Sequence, residues 1–452
     1  MRILRNCMWW LLPLAMLGCQ REAPSSAVTP AATSSGDYAG RAWLLPSSPG
    51  AAQAHLVRTP DGRLLLSWIS SIPGRRKALQ FDAWGDGGRW QGAPRTIVVG
   101  DSLVASWANP PQIAATADGA LWVQWLQKAG EGAHLMLSRS ADAGFNWSAP
   151  MQIDDETPDA ELGFAALWPA SRSSIGMAWL ESSASAADAT AQAAHAGHAM
   201  AAAQDHDASH DGKPTTLRAA VFDGFLRRGA EHGVVDAMAC DCCRTAVAPT
   251  AGGALLVYRD RTTAEIRDIA AVRFDGARWS APVPVHADGW KMTGCPVNGP
   301  SVAADGDTAI VAWYTAADDK PMVKLARSGD GGAHFDAAVV LDQGDAVQGR
   351  VAVALDAQQV WALWMREDAN GRSLWLARYT PDLARQLQRV QVAKLNSRGN
   401  ASGYPQLAVL GGAVHVVWTD VVDGAPQLRG AIYEAAAAVP TPASAPASTP
   451  TS

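Results

Sequence analysis

The residues of this sequence best suited to chemistry are four cysteines. Cys240, Cys242 and Cys243 lie almost side by side, and Cys295 follows further along the chain. In an oxidising compartment these thiols form disulfides, and the pairing with the least strain joins Cys240 to Cys243 and Cys242 to Cys295. Crowded thiolates also suit a soft metal ion, copper(I) or zinc, since both accept sulfur ligands. The sequence leaves both interpretations open.

Thioethers and imidazoles occur around the same region. Met238 and Met292 flank the cysteines and would add thioether ligands for copper. An Ala-rich insertion at residues 182–214 contains a His-rich tract, which is typical of metal binding, and its mixture of His and Met favours copper. The alternative is a solvated loop with incidental histidines. The histidines predicted to bind metal are His195, His198, His206 and His210.

A loop rich in arginine follows the cysteines. Arginine can bind a carboxylate or phosphate through two parallel hydrogen bonds, so the loop predicts a site for a small anionic ligand. The alternative is that its arginines pair with its own acidic residues. The residues predicted to contact a ligand are Tyr258, Arg259, Asp260, Arg261, Glu265, Arg267, Trp290 and Lys291.

The elements that carry these residues repeat along the chain. Seven segments share a short apolar strand, a turn and a second strand that ends in an aromatic residue. The period of about 55 residues is typical of a β-propeller with four strands per blade. We therefore predict an all-β, seven-bladed β-propeller, with six blades as the alternative. The aromatic residues are Trp68, Trp125, Trp179, Tyr258, Trp313, Trp364 and Trp418.

The register of the repeats predicts where the loops lie. Residues 41–45 are expected to add the fourth strand to the last repeat, which closes the ring and removes its exposed edges. In a blade, the loop between the second and third strands opens on the same face as the link between blades. Such positions are taken by the cysteine link (residues 240–243), the arginine loop (residues 259–268), the link 290–296 and the His-rich insertion. We predict that they converge on one face.

A second motif occurs twice at equivalent positions. Residues 140–147 read Ser-x-Asp-x-Gly-x-x-Trp, and residues 328–335 repeat this pattern with Phe at the end. The Asp carboxylate can accept backbone N–H groups in the turn between the third and fourth strands, and Gly adopts a backbone angle closed to other residues. This pattern is the Asp box, and with it the chain resembles the sialidase-like propellers. The six-bladed alternative is the sialidase-type ring.

Further motifs resemble those of exported bacterial proteins that are grouped with these propellers. They are Cys240-x-Cys-Cys, Tyr258-Arg-Asp, Ile266-Arg-Asp and Gly294-Cys-Pro. In sialidases, arginines hold the sugar carboxylate and a Tyr–Glu pair supplies the nucleophile. The resemblance therefore implies a glycosidase with Arg259 and Arg350 as the arginine pair and Tyr404 as the nucleophile. The sialidase motif of the first blade is missing, and no Glu partner for Tyr404 is visible.

The N-terminus resembles a bacterial lipoprotein signal. Arg2 and Arg5 precede an apolar run that ends in Gly18-Cys19, similar to a lipobox. The resemblance implies a lipid on Cys19 and, since the next residue is not Asp, export to the periplasmic face of the outer membrane; ordinary secretion is the alternative. The predicted divisions are a signal peptide at 1–18, a tether at 19–40, the propeller at 41–434 and a disordered tail at 435–452.

The net charge of the chain indicates which kinds of partner it can bind. The net charge is −6 and no basic run occurs, so nucleic-acid binding is not expected, and the membrane should be contacted through the lipid anchor only. We predict a non-hydrolytic binding protein for a soft metal, copper before zinc, or for a small anionic ligand. One alternative is an exo-sialidase-type glycoside hydrolase that acts on an acidic sugar. Another is a scaffold for protein partners that the sequence does not identify.

Overall fold

The computed structural model describes residues 37–72, 74, 76–85, 87–130, 132–154, 161–182, 215–229 and 233–436. Within these residues the chain forms 29 strands, which pair in seven antiparallel sheets. Each sheet is a blade of four strands, apart from one blade with a short fifth strand, and hydrophobic cores join each blade to the next around the ring. The predicted all-β, seven-bladed propeller is confirmed, and the six-bladed alternative is wrong.

The first strand of the chain belongs to the last blade, and the other strands follow in order. The first strand is β1 (Tyr38–Ala42). Blade 1 contains β2 (Ala51–Arg58), β3 (Leu64–Ile72), β4 (Arg76–Gly85), the short β5 (Arg89–Trp90) and β6 (Arg95–Gly100). Blade 2 contains β7 (Gln112–Ala115), β8 (Leu121–Ala129), β9 (Gly132–Ser140) and β10 (Met151–Gln152). Blade 3 contains β11 (Glu161–Pro169), β12 (Ile175–Ser182), β13 (Thr215–Phe222) and β14 (Gly233–Ala239).

The remaining four blades repeat this order. Blade 4 contains β15 (Ala246–Thr250), β16 (Gly253–Arg259), β17 (Ile269–Phe274) and β18 (Val283–His286). Blade 5 contains β19 (Ser301–Asp305), β20 (Thr308–Thr315), β21 (Met322–Ser328) and β22 (Val339–Gln343). Blade 6 contains β23 (Val347–Asp356), β24 (Gln359–Asp368), β25 (Gly371–Tyr379) and β26 (Gln386–Leu395). Blade 7 contains β27 (Gln406–Leu410), β28 (Ala413–Val422), β29 (Ala425–Ala435) and β1.

The ring is closed by its two ends. β1 pairs antiparallel with β29, with Gly40 opposite Tyr433 and Ala42 opposite Ala431. This strand is the one predicted from residues 41–45, although it begins earlier, at Tyr38. Closure gives the last blade its fourth strand, and β1 covers the edge that β29 would otherwise expose.

The core of the protein lies between the blades. The cluster around Trp364, for example, combines side chains of blades 5 and 6, and the cluster around Trp418 combines blades 6 and 7. Each of the seven predicted aromatic residues lies on the second strand of its blade and is at most 9% exposed. Burial of a large ring against the neighbouring blade removes apolar surface from water, and this holds the blades together.

Acidic residues add a polar contact between blades that we did not anticipate. In three cases the polar group of the second-strand aromatic donates to an Asp on, or just after, the fourth strand of the preceding blade. The pairs are Tyr258 Oη with Asp236, Trp313 Nε1 with Asp288 at 2.7 Å, and Trp364 Nε1 with Asp342 at 2.6 Å. Tyrosine can replace tryptophan in blade 4 because it supplies both the ring and the donor.

The Asp boxes form the predicted turns between third and fourth strands. Asn146 N–H donates to Asp142 Oδ1 at 2.9 Å, and His334 N–H donates to Asp330 Oδ1 at 3.0 Å. Gly332 has φ +92°, and a Cβ there would lie 2.3 Å from a methyl carbon of Leu255. Glycine is therefore required by both the backbone angle and the close contact.

Helices play little part in the described residues. Two short 3-10 helices occur, Ala317–Asp319 and Gly399–Ser402. Among the described residues, no helix has the length and apolar character needed to cross a membrane.

Candidate metal centre

Three of the four segments predicted to converge are joined by backbone hydrogen bonds. Cys240 N–H donates to the Arg259 carbonyl at 3.0 Å, which attaches the cysteine link to the arginine loop. Arg267 N–H donates to the Trp290 carbonyl at 2.8 Å, which attaches the arginine loop to the link 290–296. The His-rich insertion lies outside the described residues, so its position stays a prediction.

The cysteine sulfurs form a compact buried cluster. The Sγ–Sγ distances are 3.3 Å between Cys240 and Cys243, 3.8 Å between Cys240 and Cys242, and 4.0 Å between Cys242 and Cys243. All three residues are at most 2% exposed. Two sulfurs bound at about 2.3 Å to one tetrahedral metal ion lie about 3.8 Å apart, so these spacings suit a shared metal.

One disulfide is present. Cys242 is bonded to Cys295, with their Cα atoms 6.0 Å apart, which confirms half of the predicted pairing. The predicted Cys240–Cys243 bond is absent, because these thiols lie at hydrogen-bonding rather than bonding distance. Cys295 is the only partly exposed member of the four in this structure. Cys295 packs against the three buried cysteines, so reduction of its disulfide would leave a fourth thiol beside them.

Positive charge surrounds Cys240. Arg267 Nη1 donates to Cys240 Sγ at 3.2 Å, and this arginine is 1% exposed. A hydrogen bond with the Cys243 thiol, together with the charges of Arg267 and Arg259, lowers the pKa of Cys240 to about 6. Burial raises the pKa of Cys243, and the hydrogen bond with Cys240 raises it further. Cys240 is therefore the thiolate of the pair at neutral pH.

We expect this thiolate to be visible in a titration of the protein with its disulfide intact. Ultraviolet thiolate absorption should rise with a midpoint near pH 6, because Cys240 ionises first. Arg267→Met should move this midpoint upward by removing a donor and a positive charge, and Cys240→Ser should abolish it. Arg227→Met, which changes an exposed arginine, is the control. A wild-type transition only near the ordinary thiol pKa of about 8.5 would contradict this assignment.

Arg259 is occupied by the protein itself. Its guanidinium donates to the carbonyls of Asn298 at 2.7 Å, Arg267 at 2.6 Å and Tyr314 at 2.7 Å, and the residue is 1% exposed. The Trp290 ring, which is itself buried, covers the guanidinium at 4.8 Å. These contacts leave no face of Arg259 open to an anionic ligand.

The other arginines of this loop pair with its glutamate. Glu265 accepts from Arg261 Nη2 at 2.8 Å and from Arg267 Nη2 at 2.9 Å. Burial alone would raise the pKa of Glu265, but the hydrogen bonds from Arg261 and Arg267 lower it below its usual value. The structure therefore has the mutual pairing that was the alternative to ligand binding.

Tyr258 and Asp260 also have internal partners. Tyr258 is fully buried and donates its hydroxyl to Asp236. Burial, and then this hydrogen bond, raises the pKa of Tyr258. Burial and the negative charges of Asp236 and Asp268 raise the pKa of Asp260 to about 6. Both side chains contribute to the packing between blades and loop rather than to an open site.

The remaining predicted ligands fall in two groups. Lys291 is exposed and Met238 and Met292 are half-buried; within the described residues neither thioether is hydrogen-bonded to a cysteine thiol. Both methionines therefore stay predicted ligands that no sulfur contact supports. The residues Cys19, His195, His198, His206 and His210 lie outside the described residues.

The residues of the glycosidase alternative are also held internally. Arg350 Nη2 donates to Asn400 Oδ1 at 2.7 Å, and Tyr404 donates its hydroxyl to the Val297 carbonyl at 2.5 Å. Burial raises the pKa of Tyr404 to about 12. No carboxylate of the described chain contacts the Tyr404 hydroxyl. A phenol that is harder to ionise and lacks a base is not activated for attack.

Two residues near the cluster were not predicted from the sequence. Asp241 Oδ1 lies 3.7 Å from Arg267 Nη1, and its position between the cysteines was a usable signal. Asn298 accepts from Arg259 through its carbonyl, while its side-chain oxygen accepts the Arg350 N–H at 2.8 Å. No local motif marks Asn298, apart from its place just after Gly294-Cys-Pro.

Comparison with known proteins finds only distant similarities. The sequence matches no protein-family model and no curated protein. Among solved structures it is similar to a Dyadobacter fermentans protein of unknown function, with 14% identity, a TM-score of 0.45, and coverage of 86% of this chain and 95% of that one. A Streptococcus pneumoniae sialidase has 10% identity and a TM-score of 0.44, with 82% and 83% covered. A Penicillium chrysogenum α-L-arabinanase has 10% identity and a TM-score of 0.42, with 88% and 97% covered.

Proposed function

We propose that this protein is a non-hydrolytic binding protein that holds one soft metal ion, copper(I) before zinc, on its cysteine cluster. The observation that carries the proposal is the group of three buried sulfurs no more than 4.0 Å apart, with Cys295 bonded to one of them. A set of ligands made only of thiolates favours copper(I) or zinc over harder cations.

The charges around the cluster support this proposal. Four thiolates around one such ion carry net negative charge, which is costly to bury unless it is compensated. Arg267 donates directly to Cys240, and Arg259 lies close enough to lower the pKa of the same thiol. The two guanidiniums therefore lower the cost of burying a metal–thiolate complex.

The disulfide makes the proposed site dependent on reduction. While Cys242 is bonded to Cys295, only Cys240 and Cys243 offer free thiols. After reduction Cys242 joins Cys240 and Cys243 as a ligand, since these three sulfurs lie within 4.8 Å of one another. Cys295, which groups with Cys242 and Asp241, would move toward them to become the fourth ligand. The protein would thus bind metal in a reducing environment and lose affinity on oxidation.

A metal titration under two redox conditions tests the proposal. Anaerobic, reduced protein should bind one equivalent of copper(I) in competition with a coloured copper(I) chelator, and zinc should be tested in parallel with a zinc indicator. The protein with its disulfide intact should bind at least about 100-fold more weakly, because it has lost two thiolate ligands. Equal affinity in both states, or no binding by the reduced protein, would contradict the proposal.

The alternatives receive less support from the geometry. A glycoside hydrolase acting on an acidic sugar would need the guanidinium of Arg259 and the hydroxyl of Tyr404, which are both engaged with backbone carbonyls. The proposed place of action, the periplasmic face of the outer membrane, depends on a lipid at Cys19. Because that compartment is oxidising, the Cys242–Cys295 disulfide must be reduced there before metal binds.

A further inference from the structure

The propeller encloses a central cavity of about 340 Å³ that the cysteine cluster does not use. All seven first strands contribute to its wall, as expected for the axis of a closed ring. About half of that wall is apolar, and Val57, Val247, Val302 and Val353 are among its lining residues. A cavity of this size holds a small molecule rather than a polymer.

The charged side chains that line this wall are all positive. Arg58 and Arg244 line the cavity, and its lining contains no Asp or Glu. The chain as a whole carries a net charge of −6, so a wall with only positive charge does not reflect the overall composition. Positive groups enclosed by protein of low dielectric attract an anion more strongly than the same groups would on an open surface.

Arg244 is the group best placed to bind that anion. Its guanidinium lies 4.6 Å above the Tyr404 ring, and no carboxylate among the described residues pairs with it. Arg244 is enclosed by the ring of strands, and this burial lowers its pKa, yet the side chain keeps accessible surface because it lines the cavity. A buried guanidinium without a counter-ion is costly, and an oxyanion would offset that cost through paired hydrogen bonds.

His55 supplies a second donor beside Arg244. Its Nδ1 accepts the Ile113 N–H at 3.3 Å, so the neutral ring carries its proton on Nε2. Burial, and then the charge of Arg244, lowers the pKa of His55 to about 3, which keeps the ring neutral. The ring lines the same cavity as the guanidinium.

The cavity can be reached from the face opposite the cysteines. Arg58 ends the first strand of blade 1, and Pro249 lies near the end of the first strand of blade 4; both are exposed and line the cavity. First strands run from the face of the links between blades to the face of the tight turns. Arg58 therefore lies near the turn face, where its charge would attract an anion, and Arg244 lies near the other end.

From this geometry we propose that the central channel binds a small oxyanion, either a carboxylate with a short apolar body or inorganic phosphate, with Arg244 and His55 as donors. Arg244 directly follows Cys243, so the channel site borders the cysteine cluster, but no cysteine lines the channel and the site does not require a bound metal.

Calorimetric titration at low ionic strength tests the channel site with isobutyrate and with inorganic phosphate as probes. Binding of isobutyrate alone identifies a carboxylate site, and binding of phosphate alone or of both identifies a general oxyanion site; each result supports the proposal. Arg244→Gln should lower the affinity at least about tenfold, Arg244→Lys should lower it less, and Arg227→Gln should not change it.

Two results would overturn the channel site: no binding of either probe by the wild-type protein, or undiminished binding by Arg244→Gln. If Arg244→Gln does not fold, bromide soaked into wild-type crystals decides the question. An anomalous peak beside the Arg244 guanidinium supports the site, and its absence overturns it.

Discussion

Cys240→Ser should weaken copper(I) binding by the reduced protein at least about 100-fold. Serine removes the sulfur that carries the lowest pKa and that lies within 4 Å of two other sulfurs. A hydroxyl is a poor ligand for a soft ion, so nearly the whole contribution of that ligand is lost. The measurement is the same chelator competition, performed anaerobically on each variant.

The pattern across the four cysteines distinguishes a metal site from a structural disulfide. If all four sulfurs are ligands, then Cys242→Ser, Cys243→Ser and Cys295→Ser should each cause a loss similar to that of Cys240→Ser. Met136→Leu is the control, because this half-buried methionine packs against the core between blades 1 and 2, away from the cysteines. Loss of stability in only Cys242→Ser and Cys295→Ser, with no change in metal affinity, would point to a disulfide alone.

Arg259→Met should lower the free energy of unfolding by about 3–5 kcal/mol. The substitution keeps much of the side-chain volume but leaves the buried carbonyls of Asn298 and Arg267, and the partly buried carbonyl of Tyr314, without this donor. Each buried acceptor that loses its partner costs about 1–3 kcal/mol. Removal of the positive charge also makes the buried Cys240 thiolate less stable. Denaturation by guanidinium chloride, followed by tryptophan fluorescence, gives the difference.

The control for this experiment is an exposed arginine. Arg227 is 74% exposed at its side chain and pairs with Asp223 within the same turn. Arg227→Met should change the free energy of unfolding by less than about 1 kcal/mol, because exposed ion pairs contribute little. If both arginine variants lose the same stability, Arg259 does not hold the three segments together.

The propeller fold could be predicted from the sequence because every blade has the same packing requirement. Every blade needs one large ring on its second strand to fill the space beside its neighbour, and this recurs from Trp68 to Trp418. Closure by β1 also followed from counting strands in the last repeat. The contacts of Asp236, Asp288 and Asp342 with the next blade were not predictable, because these carboxylates do not stand at one fixed distance from their partners in sequence.

The candidate site could be predicted only in outline. The register of the repeats predicted that the cysteine link, the arginine loop and the link 290–296 lie together. The Cys242–Cys295 disulfide was predicted because few pairings of four cysteines avoid strain. Whether Arg259 faces a ligand or the protein depends on carbonyls of Asn298 and Tyr314, which come from a different part of the chain. Local residue types carry no information about such backbone positions, so ligand binding and self-pairing could not be distinguished.

The most direct test of the proposed metal site is X-ray absorption spectroscopy at the metal edge of reduced protein loaded with one equivalent of copper(I) or zinc. The metal should have a first shell made only of sulfur at about 2.3 Å, which Cys240→Ser alters. A shell dominated by nitrogen or oxygen, or one that Cys240→Ser leaves unchanged, would contradict it.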